Sequence, residues 1–214
     1  MSLLNLKPRP IKRGDGAYRD DRLFLVACDD TYAPDQYFSF FEIPRIHVKV
    51  IPPENDKSHA QHVLTNLLSY KKDDFEEFDE RWMLLDTDHC IKPGHVKKFR
   101  EALKKAKQEN VKVALSRSCF EVWLLLHHCD ENEVKTLGDA AEVELTLRAK
   151  LGEYNKVNLK REHFPPNLVI EACRRAEALD NSVTGGMIPN STTSRVYLLW
   201  KAIVSKAFKD VLIN

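Results

Sequence analysis

Short apolar runs alternate along the N-terminal half of the chain with longer segments of helical periodicity. Residues 23–28 and 82–85 are unbroken apolar runs that each end in aspartates. Residues 46–51 carry β-branched side chains and end at two prolines, and residues 111–115 form a further apolar run. Short runs that are apolar on both faces are typical of strands buried in a parallel sheet. The pattern therefore predicts four strands.

Apolar residues recur at helical spacing between these strands. Helices are predicted at residues 34–43, 58 to about 75, and 93–110. The first has Pro34 in its first turn, behind Asp30 or Thr31 as the N-cap. After the fourth strand only helices are predicted, at residues 122–126, 137–151, 167–179 and 193 to about 208.

Strands that alternate with helices predict an α/β fold with a four-stranded, mostly parallel sheet flanked by helices. Residues 22–128 would form this core, and residues 129–214 a helical extension packed on it. Residues 1–21 mix proline, glycine and charge without a period, which favours a flexible basic arm.

Composition and charge narrow the classes of protein. The chain is 43% hydrophobic and 30% charged, as in an ordinary globular protein. Its net charge of +1 gives no global field for nucleic acid or a membrane, so any such partner must be recognised locally. Five widely spaced cysteines favour reduced thiols and a cytoplasmic protein, and the sequence shows neither a membrane-spanning run nor a signal peptide.

Aspartates follow two of the predicted strands. Asp29 and Asp30 come after the first strand, and Asp86 and Asp88 after the third. Ligands of parallel sheets bind at the carboxyl ends of the strands, where these side chains would converge. Convergent carboxylates repel one another unless a cation neutralises them, and Mg²⁺ or Mn²⁺ suits oxygen ligands. The pattern favours phosphoryl chemistry, although aspartates after strands are also common turn formers and caps.

A further acid follows the fourth strand. Ser116 and Ser118 are candidate caps of a helix whose first turn carries Glu121. Glu121 either brings another carboxylate to the same crevice or interacts with the helix dipole.

Several sequence blocks together resemble the RloB-like family. They are LFLVACDD, MLLDTDH, SRSCFEVWLLLHH, the Tyr154-Asn155-Lys156 triplet and PNSTTSRVYLLW, and they span most of residues 22–200 in order. The positions of the acids also resemble the Toprim fold of primases, topoisomerases and OLD-type nucleases. The resemblance implies a Toprim-type domain and a metal-dependent nuclease of a bacterial defence or abortive-infection system.

The resemblance also implies roles for single residues. Asp86 and Asp88 match the metal-binding Asp-x-Asp, Glu121 matches the acid of the Cys-Phe-Glu block, and Lys156 matches a late lysine that stabilises phosphate charge. With Asp29, these five are the expected catalytic residues, and the four acids among them are the expected Mg²⁺ or Mn²⁺ ligands. Nucleic acid and a partner ATPase are the implied partners.

The chain departs from the family pattern at the first strand. Where the family pattern has Cys-Glu-Gly and then Thr-Glu, this chain has Cys28-Asp29-Asp30 and Ala33-Pro34. The shorter Asp29 and the missing second acid favour an alternative function, a catalytically weakened Toprim-like binding or regulatory subunit of a partner ATPase.

Other candidate features have plainer interpretations beside the functional ones. His89, His127 and His128 stand beside Cys90 and Cys129, but without the spacing of a zinc motif. His89 is either a proton shuttle or metal ligand in the crevice, or an ordinary solvated histidine. The basic residues that could contact a phosphate backbone, or form a solvated helix face, are Lys92, Lys97, Lys98, Arg100, Lys104, Lys105, Lys107 and Lys112. The sequence contains no phosphate-binding Gly-rich loop, which disfavours NTP hydrolysis and nicotinamide chemistry.

Overall fold

The structure is a computed structural model that describes residues 21–53, 58–70, 78–88, 90–92 and 94–211. For residues 206–211 it describes the backbone alone. The predicted arm at residues 1–21 lies outside the described residues except for its last position. His89, the candidate proton shuttle, also lies outside them.

Five strands form one sheet in the described part of the chain. They are β1 (Arg22–Cys28), β2 (Ile46–Ile51), β3 (Glu80–Asp86), β4 (Lys112–Arg117) and β5 (Thr193–Ser194), in the spatial order β2-β1-β3-β4-β5. The first four strands run parallel, and β5 pairs antiparallel with β4. The predicted α/β class and the four parallel strands are confirmed, and the sheet is one strand larger than expected.

Helices cover both faces of this sheet. They are α1 (Ala33–Ser39), α2 (Ala60–Ser69), α3 (Val96–Gln108), α4 (Glu121–Leu125), α5 (Glu131–Lys135), α6 (Ala140–Leu151), α7 (Pro166–Ser182) and α8 (Val196–Val211). Apolar side chains of α2 and α3 pack against Leu25, Met83 and Leu115 on one face. Helices α1, α4, α6, α7 and α8 share the core on the other face with Phe24 and Val26. Strands buried from both sides explain the unbroken apolar runs.

The end of α3 shows how a local sequence feature positions the strand that follows it. Asn110 has a φ of 56°, and its N–H donates to the carbonyl of Lys107. The N–H of Val111 donates to the carbonyl of Ala106 at 2.8 Å. This is the Schellman pattern, in which a left-handed residue closes a helix. It turns the chain directly from α3 into β4.

The residues at 193–194 were predicted to be helical, and that prediction is wrong. Thr193 and Ser194 instead pair with Arg117 and Ser116 of β4, because the edge of β4 offers unpaired backbone groups. The predicted capping role of Ser116 is also wrong, since its Oγ lies 2.9 Å from Oγ of Ser194. The N-cap of α4 is Phe120, without a side-chain cap, so Ser118 does not cap that helix either.

The region predicted as a helical extension thus adds a strand to the sheet. The division of the chain at residue 128 stays a prediction. The five cysteines are free, with Cys28, Cys119 and Cys129 buried. Among the described helices, none is long and apolar enough to cross a bilayer.

Candidate active site

A cavity of about 500 Å³ opens at the carboxyl ends of β1, β3 and β4. All five residues predicted as catalytic line it: Asp29, Asp86, Asp88, Glu121 and Lys156. Its other lining residues in the described part of the chain are Asp30, Ser58, His59, Cys90, Lys92, His95, Cys119, Ala140 and Glu144. The fold therefore brings together the acids from three strand ends, as their positions in the sequence predict, and adds Lys156 from a fourth segment.

Asp29 and Asp86 lie at the carboxyl ends of the neighbouring strands β1 and β3 and are linked directly. The backbone N–H of Asp29 donates to the carbonyl of Leu84 at 3.3 Å. Oδ2 of Asp29 accepts a hydrogen bond from the backbone N–H of Asp86 at 2.9 Å. Burial raises the pKa of Asp29 to about 8, with the charges of Asp30 and Asp88 adding to it, although the N–H of Asp86 opposes the rise. Burial, followed by the charges of Asp29 and Glu121, likewise raises the pKa of Asp86 well above its usual value.

Asp30 turns away from this pair toward α1. Its Oδ1 accepts the backbone N–H groups of Tyr32 at 2.8 Å and Ala33 at 3.1 Å. The predicted N-cap of α1, Asp30 or Thr31, is therefore wrong, because Tyr32 holds that position and Asp30 binds the N–H groups from just ahead of it. Oδ2 of the same buried carboxylate lies 2.5 Å from Nζ of Lys156. Both oxygens of Asp30 thus have partners.

Glu121 is the first residue of α4 and is buried. The hydroxyl of Tyr154 donates to Oε1 of Glu121 at 2.7 Å, and Nζ of Lys156 lies 3.6 Å from the same oxygen. Burial alone would lower the pKa of Lys156, but the charges of Glu121 and Asp30 raise it overall. The ammonium group is therefore charged and shared between two carboxylates.

The segment that carries Lys156 is fixed by Gln36 of α1. The Gln36 side chain donates to the carbonyl of Lys156 at 3.0 Å and accepts the N–H of Leu159 at 2.9 Å. One amide therefore anchors both sides of the segment. Lys156 reaches the cavity because this loop is tied to the sheet through α1.

Asp88 lies in the turn after β3. Its N–H donates to the carbonyl of Ser118 at 3.2 Å, and the N–H of Thr87 lies within reach of the carbonyls of both Ser116 and Ser118. These bonds tie the turn to the end of β4. The half-buried Asp88 is held on the wall of the cavity as a result.

The ability of the cavity to hold a metal depends on which ion is considered. Among the described residues, no group of three or more His, Cys, Asp or Glu side chains is arranged to hold a metal ion. Zinc sites take three or four protein ligands, whereas Mg²⁺ often takes one or two carboxylates and fills its shell with water and substrate phosphate. The crowded pair of Asp29 and Asp86 fits the second kind of site. The metal-binding roles of the four acids stay predictions.

His127, one of the histidines considered for zinc, belongs to the core. It is buried, with Nε2 3.0 Å from the hydroxyl of Tyr37 and Nδ1 2.9 Å from the carbonyl of Trp123. Burial lowers the pKa of His127 to about 3. Both ring nitrogens are engaged, so this histidine supports packing and is not a metal ligand.

The basic helix contributes to the cavities at only two positions in the described residues. Lys92, just before α3, lines the acidic cavity, and Lys98 lines a neighbouring one. The remaining basic residues of α3 are exposed and line neither cavity. Lys112 stands at the amino end of β4, where it pairs with Glu80 at 2.9 Å.

Sequence reasoning missed several residues of the site. Tyr154 was noticed only as part of a family block, and Gln36 was not noticed. His59 and His95 were also missed, although each stands immediately before a helix that follows a strand. The rule that ligands bind at the carboxyl ends of strands would have drawn attention to these two loops.

Comparisons with known proteins place these residues in a family context. A family model described as RloB-like protein matches residues 24–203. No curated protein and no solved structure matches the chain. The matched range includes every residue that lines the acidic cavity and the segment that carries Lys156.

Proposed function

Because this chain belongs to the RloB-like protein family, we propose that it cleaves phosphodiester bonds of nucleic acid with Mg²⁺ or Mn²⁺. The observation that carries the proposal is the pair of half-buried carboxylates, Asp29 and Asp86, which share one cavity with further acids and whose pKa values are raised first by burial and then by the neighbouring negative charges. A divalent cation relieves such crowding. We also assign the domain to the Toprim type, because its acids follow the first and third strands of a parallel sheet.

Asp86 and Asp29 are the residues that would hold the ion, with Asp88 beside them on the cavity wall. A bound divalent ion would supply Lewis-acid stabilisation of the phosphate charge and an activated water at neutral pH. Two carboxylates leave most of a magnesium coordination shell to water and substrate. This arrangement agrees with the lack of a three-residue ligand group among the described side chains.

Lys156 would stabilise the charge that develops on the phosphate. Its ammonium is already positioned at 2.5 Å from Asp30 and 3.6 Å from Glu121, so little reorganisation is needed when the substrate binds. Tyr154 fixes Glu121 by donating to it. Asp30, whose two oxygens are engaged, positions Lys156 and leaves Asp29 as the acid able to act as ligand or general base.

The proposal is tested by cleavage of plasmid DNA and of a structured RNA in Mg²⁺, in Mn²⁺ and in EDTA. Wild-type protein should cleave one of these substrates with metal and neither in EDTA. Asp86→Asn should lower the rate by about a hundredfold or more, since it removes a charged group at the reacting centre. Asp35→Asn, an exposed aspartate of α1 outside the cavity, is the matched control and should cleave like wild type.

Two outcomes would contradict the proposed metal-dependent nuclease activity. Cleavage that persists in EDTA would show that no divalent ion is needed. Cleavage by Asp86→Asn at the wild-type rate would show that the acidic pair is not the reacting centre.

One observation favours a second candidate function, a weakened Toprim-like binding or regulatory subunit of a partner ATPase. Oδ2 of Asp29 is already bonded to the backbone N–H of Asp86, at a position where the family pattern has the longer glutamate. Failure of the wild-type protein to cleave DNA or RNA in either metal, together with co-purification of an ATPase produced from a neighbouring gene, would support this function. Both candidates are compatible with a role in bacterial defence or abortive infection.

A further inference from the structure

A second cavity of about 460 Å³ adjoins the acidic one. The two share His59, Cys90 and His95 as lining residues, so they form one continuous depression. One end of this depression carries the carboxylates and Lys156. The other end lies between the first turns of α2 and α3.

Imidazole rings and a lysine line this second end, together with Gln61 and the carboxylate of Glu101. The ring of His59 lies 6.0 Å from that of His95, at an interplanar angle of 88°, and 6.4 Å from that of His62. All three histidines and Lys98 are exposed, while the lining residues Ala60 and Phe99 are buried. Flat polar rings over an apolar base suit a flat heterocycle that both stacks and accepts hydrogen bonds.

The histidines are better placed to contact an organic ligand than a metal ion. Soft or borderline metals such as zinc need three or four convergent protein ligands. Among the described residues no such group exists, although three histidines and Cys90 all line this cavity. Its volume falls within the range of about 300–1,000 Å³ that is usual for pockets that bind small organic groups.

We propose that this second cavity is the subsite for the nucleotide next to the scissile phosphate, and that the substrate is single-stranded there. The inference rests on the proposed nuclease function and deepens it. A single strand exposes the faces of its bases for stacking on aromatic side chains, whereas a duplex hides them. Lys98, the cation of this cavity among the described residues, contacts the backbone phosphate of that nucleotide.

Binding is measured by the fluorescence anisotropy of a 5′-labelled single-stranded oligonucleotide of about 12 nucleotides, as DNA and as RNA, since each base stacked adds to affinity. Ca²⁺ in one series and EDTA in another allow binding to be followed without relying on turnover. Replacing His62, His95 or Lys98 with alanine should weaken binding by roughly fivefold to a hundredfold, the range found when base stacking or a phosphate contact is removed.

Matched controls come from the same residue types elsewhere. Lys104→Ala removes an exposed lysine from the same helix without touching the cavity, and His47→Ala removes an exposed histidine of β2. Both should bind like wild type. A duplex of the same sequence should compete at least tenfold less well than the single strand.

The outcomes separate this inference from the proposed function. Cleavage by wild type, with unchanged oligonucleotide affinity in the histidine and lysine variants, would overturn the subsite and leave the nuclease intact. Oligonucleotide binding that is weakened in those variants, without any cleavage by wild type, would show that the cavity binds a single strand but would overturn both the nuclease function and the position of this cavity beside a scissile phosphate. Equal competition by duplex, or tight binding of Zn²⁺ that is lost in His62→Ala, would overturn the subsite in favour of another ligand.

Discussion

The core pair of His127 and Tyr37 shows how burial and hydrogen bonding fix the state of a single side chain. The carbonyl of Trp123 can only accept a hydrogen bond, so Nδ1 of His127 carries the proton. Nε2 is then the acceptor for the hydroxyl of Tyr37. Protonating Nε2 would place a charge in the core, so burial, with a smaller effect of the charge of His128, lowers the pKa of His127 to about 3.

This depressed pKa predicts an acid-sensitive core. Unfolded histidine has a pKa of about 6.5, so the unfolded chain binds one more proton than the folded chain as the pH falls below that value. His127 should therefore lower the free energy of unfolding by up to about 1.4 kcal/mol for each pH unit below about 6.5. Urea unfolding between pH 7 and pH 5 measures this slope.

His127→Gln is the comparison for that measurement, because glutamine still offers an acceptor to Tyr37 and does not titrate. The free energy of unfolding should depend less steeply on pH in the variant. The difference in slope should correspond to the uptake of close to one proton on unfolding. Equal slopes in the two proteins would contradict the assignment of His127 as a buried neutral base.

At the scale of elements, sequence patterns located the long segments and the short helix α4, but they missed two other short elements, β5 and α5. The strands β1 to β4 were predicted because each is an apolar run buried on both faces, and the bounds of β2 were predicted without error. Strand β5, with two residues, and α5, with five, are too short to show a period. Their placement depends on the edge of β4 and on the cap that Asp130 provides, which binds the N–H groups of Asn132 and Glu133.

Within the site, too, some residues are predictable from local sequence and others depend on how elements pack. The acids were predictable because each lies at the end of a strand or within four residues after it. Gln36 was not predictable, because its bonds to the Lys156 segment join residues 120 and 123 positions apart. Contacts of that separation depend on how whole elements pack, and no local pattern reports them.

The loop before β5 gives a test at this scale. Gly185 has a φ of +107°, and a Cβ there would lie 2.4 Å from the carbonyl oxygen of Ile188. Gly185→Ala should therefore destabilise the protein by about 2–4 kcal/mol through strain and displacement of the loop. Gly186 has a φ of +64° with open space around it, so Gly186→Ala should cost only about 1 kcal/mol.

Thermal or urea unfolding of the two alanine variants measures the difference. The loop is also bonded to β4, since the guanidinium of Arg117 donates to the carbonyl of Pro189 at 3.0 Å. If the two variants were equally stable, the close approach of the loop to Gly185 would not be a constraint on the fold.

At the scale of the whole molecule, a nearly neutral chain concentrates its negative charge in one place. The net charge is +1, yet the described residues that line the cavity include six acids and two lysines, Lys92 and Lys156. Two of these acids have raised pKa values, which means that their ionised forms destabilise the folded state. Function at such a site is maintained at the expense of stability.

This conflict predicts opposite effects of one substitution on stability and on metal response. In EDTA, Asp86→Asn should be more stable than wild type, by about 1 kcal/mol or about 2–4 °C in Tm for a chain of this size. Mg²⁺ or Mn²⁺ at millimolar concentration should raise the Tm of wild type, because a ligand that binds only the folded state stabilises it. The variant should show little of this rise.

Differential scanning fluorimetry with and without metal tests both expectations, with Asp35→Asn as the control that should follow wild type. A variant that is less stable than wild type in EDTA would show that Asp86 contributes favourable contacts instead of repulsion. A metal response that is the same in both proteins would place the ion elsewhere.

The late position of Lys156 in the chain limits how the protein can be cut or recombined. A fragment that stops near residue 128 would retain the four parallel strands and every aspartate of the cavity, but it would lack the lysine, its tyrosine neighbour and the edge strand. Such a fragment would expose an anionic pocket with Lys92 as its one remaining lysine among the described lining residues, beside an open edge of the sheet. A minimal module built from this protein must therefore run through residue 194, and a chimaera joined at residue 128 would inherit the aspartates without the ion pair that Lys156 forms with Asp30.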